Sequence, residues 1–324
     1  EWLYFRDKLN FTDSISRSTI INDHFKAGFL ETDIYITNNI AAKLGARVEH
    51  SSLMQRSNLV PRVSLAYKLA PKSQVSLAYG IFYQKPERNQ LVIDKELDYT
   101  KATHYIANYQ KITALNVFRV EAFYKKYDDL VKTVPLLSNH GKGYAKGIEL
   151  FWRDKKTLKG VDYWISYSFL DTERDYLNYP GLLKPNFAAS HTASLVIKKF
   201  ITKLKTQFNA SYSYATGRPY YNIRYNENEG KTLVADRGET IDFNNLSLSV
   251  NYLPNIGRQN AKAFTVFVLS VTNVLNQEQI YNYNYSYNGS IKQAVRPPAN
   301  QFFFLGCFIS LGVDRTEVVI NSNL

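Results

Sequence analysis

Residues 60–83 contain the most restrictive pattern in this sequence. Large apolar residues alternate with small or polar ones through two stretches of about ten residues, and Ala70-Pro71-Lys72 joins the stretches. Leu65 and Leu77 belong to the apolar positions. Because successive side chains of a strand point to opposite faces, each stretch predicts a strand with one apolar and one polar face. A tilted strand of about ten residues crosses the hydrocarbon core of a bilayer, whereas strands in soluble sheets are roughly half as long.

The same alternation recurs along the chain. It predicts strands at 43–49, 62–69, 74–83, 118–125, 147–153, 163–169, 207–214 and 246–252, with less regular patterns at 2–9, 24–37, 99–110 and 189–200. The polar face of these strands is too hydrophilic for a dry core, so one face suits lipid and the other water. The segments 263–275 and 301–313 are apolar on both faces, so alternation does not assign their facing.

The predicted connections alternate in length. Short ones lie near 38–39, 70–72, 111–113, 154–160, 201–203 and 254–262, and longer ones near 53–59, 84–98, 129–142, 172–188, 217–239 and 276–300. Every second connection of an up-and-down barrel lies at the same rim, and outer-membrane barrels carry their long loops outside. The fold class is therefore predicted as all-β, a transmembrane antiparallel up-and-down β-barrel with 13 or 14 of its strands in this chain.

Composition argues against other classes. No apolar run approaches the roughly 18–20 residues of a transmembrane helix. The net charge is +12, but basic residues are dispersed along the chain, which argues against a nucleic-acid partner. Cys307 is the single cysteine, so it has no internal disulfide partner, and we expect it to be a small buried residue.

No motif points to catalysis or a cofactor. The five histidines are isolated from one another and from Cys307, without zinc-ligand spacing: His24, His50, His104, His140 and His191. Glycine-rich phosphate loops and the HExxH and GxSxG elements do not occur. We expect no metal, no cofactor and no catalytic residues; an outer-membrane hydrolase with catalytic groups scattered over several strands remains an alternative.

Charged residues occupy the predicted lumen face of several strands. These lumen-facing residues are Arg47, Glu49, Arg119, Glu121, Glu149 and Arg153. They carry both signs, so they can pair across neighbouring strands. A solute path along the lumen is the alternative reading.

The best ligand-binding candidates lie in the two longest outer loops. They are Arg218, Tyr220, Tyr221, Arg224 and Tyr225 in one loop, and Tyr283 and Tyr285 in the other. Arginine can bind carboxylate or phosphate through two hydrogen bonds, and tyrosine combines apolar area with a hydroxyl group. This set suits a siderophore, glycan or peptide; the alternative is a hairpin that extends beyond the membrane with an aromatic belt.

Five segments together are typical of one kind of barrel: VPRVSLAY (60–67), SLAYG (76–80), RVEAFYKKY (119–127), GIEL (147–150) and VTNVLN (271–276). They resemble the barrel of TonB-dependent receptors, particularly those of Bacteroidetes. The resemblance implies a plugged barrel of about 22 strands. On that basis, residues 1–324 are expected to be the C-terminal part of the barrel, without the N-terminal plug and the first barrel strands.

The resemblance also implies a function and a location. We expect an integral, multi-pass barrel in the outer membrane that takes up a scarce small-molecule, glycan or peptide solute. Expected partners are outer-membrane lipid and lipopolysaccharide, and TonB through the missing N-terminal part; a surface lipoprotein is left open. The alternatives are a passive porin-like channel and a structural or adhesive barrel subunit of a surface complex.

Overall fold

The computed structural model describes residues 1–12, 16–258, 263–286 and 288–312, without the side chains of 8–12 and 16–19. Its strands are β1 (Trp2–Thr12), β2 (Ser16–Tyr35), β3 (Ile40–Ser51), β4 (Arg56–Ala70), β5 (Ser73–Gln84), β6 (Thr100–Ile112), β7 (Asn116–Lys132), β8 (Ser138–Asp154), β9 (Val161–Asp175), β10 (His191–Ile201), β11 (Thr206–Ala215), β12 (Pro219–Asn226), β13 (Lys231–Glu239), β14 (Phe243–Tyr252), β15 (Ala263–Thr272), β16 (Asn282–Tyr285), β17 (Lys292–Val295) and β18 (Phe302–Leu311). One α-helix, α1 (Arg88–Ile93), and one 3₁₀ turn (Thr202–Leu204) accompany them. Among the described residues, no helix is long and apolar enough to cross a membrane.

Fourteen strands form one antiparallel sheet. They follow chain order from β1 to β11 and continue with β14, β15 and β18, while β12–β13 and β16–β17 form separate hairpins. This meander confirms the predicted fold class and strand number. β1 and β18 are the two edges of the described sheet, so the barrel is not closed within the described residues.

Strand register places the large apolar residues on one face. Leu65 lies opposite Leu77, and these side chains are 44% and 55% exposed. The same face carries a row of rings in which Tyr79 and Tyr105 are 5.3 Å apart, and Tyr105 and Tyr124 are 6.3 Å apart. An apolar face exposed over so many strands is stable in lipid rather than in water, so this is the lipid face. The opposite face lines the lumen.

Register also assigns the facing of the last two strands. Leu269 lies opposite Val250 on one side and Leu305 on the other, so these three residues share the lipid face. Cys307 pairs with Phe267 on that face and is exposed. The expectation that Cys307 is buried is therefore wrong, because β18 is an edge strand and no part of the described chain covers its lipid face.

The connections differ between the rims, with two departures from prediction. At one rim they are short, as at 36–39, 71–72 and 113–115, while the opposite rim, which we call the outer rim, carries 85–99, 176–190, 216–242 and 273–301. The long loops predicted near 53–59 and 129–142 are wrong in length, because the connections are only 52–55 and 133–137. There the strand pairs β3–β4 and β7–β8 continue outward and take up the residues assigned to loops.

The long connection between β5 and β6 folds onto the outer rim. Met54, Leu91 and Leu97 form a small buried core there with Tyr99. Close by, Asp23 accepts a hydrogen bond of 2.8 Å from the Ser51 hydroxyl. This connection is thus packed against the sheet.

Candidate functional site

Two hairpins meet above the outer rim. Connection 216–242 carries β12–β13 and connection 273–301 carries β16–β17. The rings of Tyr220 and Tyr283 are 4.6 Å apart, and Lys292 donates a hydrogen bond of 2.6 Å to the Tyr220 hydroxyl. The Lys292 ammonium also lies 4.0 Å from the ring centre of Tyr220 and 4.6 Å from that of Tyr283. The hairpins are thus joined by a cation held between aromatic rings.

Asp236 and Tyr285 extend this group, which we call the outer cluster (Tyr220, Asp236, Tyr283, Tyr285 and Lys292). Tyr285 donates a hydrogen bond of 2.5 Å to Asp236, and Lys292 lies 3.5 Å from the same carboxylate. The bond from Tyr285 lowers the pKa of Asp236, while burial, followed by the bond to Asp236, raises the pKa of Tyr285 to about 12. The bond to Tyr220 raises the pKa of Lys292. At neutral pH Lys292 is therefore an ammonium, Asp236 a carboxylate and Tyr285 an uncharged phenol.

A cavity of about 440 Å³, the outer cavity, lies between the hairpins and connection 176–190. Tyr221, Arg224 and Tyr283 line it. Tyr221 donates a hydrogen bond of 3.0 Å to the carbonyl of Lys184, and this bond ties β12 to that connection. Arg224 donates to the carbonyl of Asn288, whereas its Nε is buried without a partner in the described chain.

A second cavity of about 490 Å³, the inner cavity, lies on the lumen face of β9, β10, β11 and β14. Ser194 and Ser213 line its floor, and Arg218, Thr240 and Tyr281 come from the two long connections. The Arg218 N–H donates a hydrogen bond of 3.0 Å to the Thr240 hydroxyl. Both long connections thus fold inward over the lumen face.

The structure brings together most of the predicted ligand-binding residues. Tyr220, Tyr283 and Tyr285 meet in the outer cluster, and Tyr221 and Arg224 line the outer cavity. The remaining two stand apart: Arg218 lines the inner cavity, and Tyr225 is 45% exposed and lines neither cavity. That any of these seven residues binds a ligand stays a prediction.

Sequence reasoning missed two charged members of the outer cluster and the asparagines of the outer cavity. Asp236 and Lys292 lie on β13 and β17, and each returns to the cluster only through hairpin pairing. No local pattern marks them. Asn282 and Asn284 had a signal, because they alternate with the tyrosines that were singled out.

The predicted lumen charges pair less uniformly than expected. Arg47 lies 3.4 Å from Glu49 on the same strand. Arg153 donates two hydrogen bonds, of 2.9 and 2.6 Å, to Asp162, a residue outside the predicted set.

Two predicted carboxylates face each other rather than a cation. Glu121 and Glu149 are direct cross-strand neighbours, an unfavourable arrangement for like charges. Asn108 donates a hydrogen bond of 3.4 Å to Glu121, and Arg119 lies opposite Phe151. Within the part of the chain described, no group of three His, Cys, Asp or Glu residues could hold a metal ion.

Comparison with known proteins identifies related barrels. A family model described as "TonB dependent receptor-like, beta-barrel" matches residues 2–274. Among curated proteins, none matches this chain.

Solved structures share the fold at low identity. The outer membrane transporter YddB from Escherichia coli has a TM-score of 0.70 at 12% identity, covering 92% of this chain and 46% of its own. The ferric citrate transporter FecA has 0.68 at 15%, covering 92% and 47%. The ferric yersiniabactin uptake receptor FyuA from Yersinia pestis has 0.68 at 15%, covering 94% and 49%. The chain thus spans about half the length of these proteins.

Proposed function

The chain belongs to the TonB dependent receptor-like β-barrel family, which places it in the outer membrane, and from this premise we propose that it forms barrel wall in a receptor for TonB-driven solute uptake. The lumen face of the sheet is polar enough to contact water, and the outer rim has a cavity that could hold a solute. The inward fold of both long connections over the lumen face is the observation that carries the proposal.

We infer that further strands complete the barrel and that a plug fills its lumen. The further strands are supported by two observations: β1 and β18 do not pair with each other within the described residues, and the solved structures are about twice as long as this chain. Facing carboxylates such as Glu121 and Glu149 are costly unless something pairs with them, and a plug could supply the cations. TonB would act on that plug.

In the proposed mechanism, the outer cavity captures the solute and the inner cavity receives it. Tyrosine faces and amides in the outer cavity supply contact area and hydrogen bonds. Since Arg218 and Tyr281 of the long connections also line the inner cavity, a rearrangement of these connections would open a route between the cavities. Pulling on the plug would then free the lumen for passage.

The test compares cells that carry the full-length gene, cells with the gene deleted and cells lacking TonB. Mass spectrometry of the medium follows which solutes each strain removes. We expect at least one solute to be depleted only when both the gene and TonB are present. Depletion without TonB would indicate a passive channel and contradict the proposal.

Variants connect the uptake to the outer cluster. Tyr283→Ala and Lys292→Ala are expected to slow depletion of that solute, because each removes a contact between the two hairpins. Lys72→Ala, in a short turn at the opposite rim, is the matched control and should leave depletion unchanged.

A further inference from the structure

The outer cavity is lined mainly by neutral hydrogen-bonding groups. Five asparagines contribute to its wall: Asn178, Asn186, Asn222, Asn282 and Asn284. An amide has two N–H donors and a carbonyl acceptor, so it can bind neighbouring hydroxyl groups that each donate and accept. Four tyrosines lie among these amides and offer ring faces for the C–H face of a sugar ring.

The charges around this cavity are already engaged. Among the described residues, Arg224 is the one charged side chain in the lining, and it donates to the carbonyl of Asn288. Lys292, close by, is paired with Asp236 and covered by tyrosine rings. Moving a multiply charged anion from water into this cavity would cost free energy, because the cavity offers no matching set of free cations. The free Nε of Arg224 can still donate to a hydroxyl oxygen.

The lumen wall below the cavities has the same character. In the strand register, the lumen-facing residues of β11 and β14 are Gln207, Asn209, Ser211, Ser213, Asn245, Ser247, Ser249 and Asn251, with Ala215 and Phe243 at the outer end. None is charged. On β9 and β10, Ser166 shares a 2.7 Å hydrogen bond with Ser194, whereas Asp162 and Lys198, which are direct cross-strand neighbours nearer the opposite rim, bring charges of both signs to this face. The wall from β3 to β8 differs, since Arg47, Glu49 and Glu149 lie there.

Two side-chain oxygens on the neutral wall lack a hydrogen-bond donor. The side-chain carbonyl oxygens of Asn209 and Asn251 are buried and have no partner in the described chain. Asn209 uses its amide nitrogen to donate to Ser249 at 3.0 Å, so its carbonyl faces elsewhere. Unpaired buried acceptors cost free energy, which a hydroxyl-bearing solute would recover once a shift of the neighbouring side chains uncovers them.

We propose that the transported solute is a neutral, polyhydroxylated molecule of the carbohydrate class. It binds the amides and tyrosines of the outer cavity and then moves along the neutral lumen wall of β11 and β14. The charged wall from β3 to β8 is left for the plug. This inference rests on the proposed uptake function and assigns its substrate class.

The first experiment measures binding to the full-length protein purified in detergent. The probes are neutral gluco-, xylo-, manno- and galacto-oligosaccharides, with ferric citrate as the charged iron chelate. At least one oligosaccharide should bind in calorimetry, and Asn282→Leu or Asn284→Leu should weaken it by roughly tenfold, because hydroxyl partners are lost. Gln293→Leu is the matched control, since Gln293 is an amide directly opposite Asn284 that does not line the cavity.

The second experiment measures uptake of the same oligosaccharide by intact cells. Asn209→Leu should slow uptake several-fold without changing the affinity at the outer cavity. Unchanged uptake in this variant would overturn the assignment of the neutral wall as the path.

The results separate the inference from the proposed uptake function. The carbohydrate assignment would be overturned if only ferric citrate bound, or if oligosaccharide binding were unchanged in Asn282→Leu and Asn284→Leu. TonB-dependent depletion of another solute would still support the proposed uptake function. Oligosaccharide uptake that persists without TonB would leave the substrate class intact and refute the energy coupling.

Discussion

Tyr285 on β16 donates a hydrogen bond of 2.5 Å to Asp236 on β13, and this bond joins the two outer hairpins. The partners are 49 residues apart in the chain, so the contact depends on docking of one connection against the other. Lys292, at 3.5 Å from Asp236, adds an ion pair that is partly exposed and so contributes little by itself. The shape of the outer cavity depends on these contacts between hairpins.

Tyr285→Phe should loosen the β16–β17 hairpin. The variant keeps the ring and removes only the hydroxyl that bonds to Asp236. Hydrogen exchange of amides in 282–295 should rise roughly two- to tenfold, the ordinary effect of one hydrogen bond. Tyr225→Phe on β12 is the control, because that tyrosine is exposed and lines neither cavity. Equal exchange in both variants would contradict a role for the bond.

Docking of the hairpins should fail at both ends of the pH scale. The pKa of Tyr285 is raised from 10.0 to about 12. The stabilisation of the docked hairpins by Tyr285 is therefore complete below pH 10 and is lost as pH rises through about 12. The pKa of Asp236 is lowered from 3.8, so its contribution is complete above pH 3.8 and is lost as pH falls through the lowered value. Spin labels at Glu229 and Ile291 should report a constant separation between these limits. A separation that changes near pH 7 would show that other groups control docking.

Local patterns predict this fold better than they predict the site. Strands such as 74–83 can be predicted because apolar and polar residues alternate at adjacent positions of the sequence. Facing of β15 and β18 is not visible, since both faces are apolar and only pairing with β14 decides it. The outward continuation of β3–β4 was also missed, because polar residues beyond the membrane resemble a loop.

The site was half visible for the same reason. Tyr220 and Tyr283 stand in aromatic-rich segments, so composition points to them. Asp236 and Lys292 become neighbours only when two distant hairpins dock, and no pattern in either segment encodes that contact. Likewise Arg153 pairs with Asp162, which was outside the set of lumen charges chosen from alternation.

Topology can be tested by labelling intact cells with a membrane-impermeant thiol reagent. A cysteine at Asn228, in the β12–β13 turn, should be labelled from outside, and one at Lys72, in the turn between β4 and β5, should not. Cys307 is replaced by serine in both variants, since the native thiol is exposed on the lipid face. Labelling at Lys72 would place the short turns outside and reverse the orientation.

Facing can be tested with one charge at two adjacent positions. Leu77→Arg on the lipid face of β5 should lower the free energy of unfolding by about 2–4 kcal/mol if it lies near the bilayer midplane. Ser76→Arg, on the lumen face, should be tolerated because water or polar groups surround it. Urea unfolding of the full-length protein in lipid vesicles measures both. Equal losses would show that the faces are assigned wrongly.

Asn273 fastens both ends of the connection that carries β16–β17. Its side chain is fully buried, and its amide nitrogen donates to the carbonyls of Gln277 and Asn300 at 2.8 and 3.0 Å. Its backbone N–H donates to Asn245 on β14 at 3.0 Å. The backbone has a φ of 55°, a left-handed conformation that asparagine tolerates better than most residues.

Asn273→Asp should therefore release connection 273–301. The substitution keeps the size and backbone preference but places a carboxylate oxygen against two carbonyls, a change that costs about 1–3 kcal/mol. Amides in 277–300 should lose protection from hydrogen exchange. Asn276→Asp is the matched control, since Asn276 also has a positive φ, of 51°, but is exposed. If the amides in 277–300 are equally protected from hydrogen exchange in both variants, Asn273 does not anchor the connection, and the hairpin contacts alone must maintain the outer cavity.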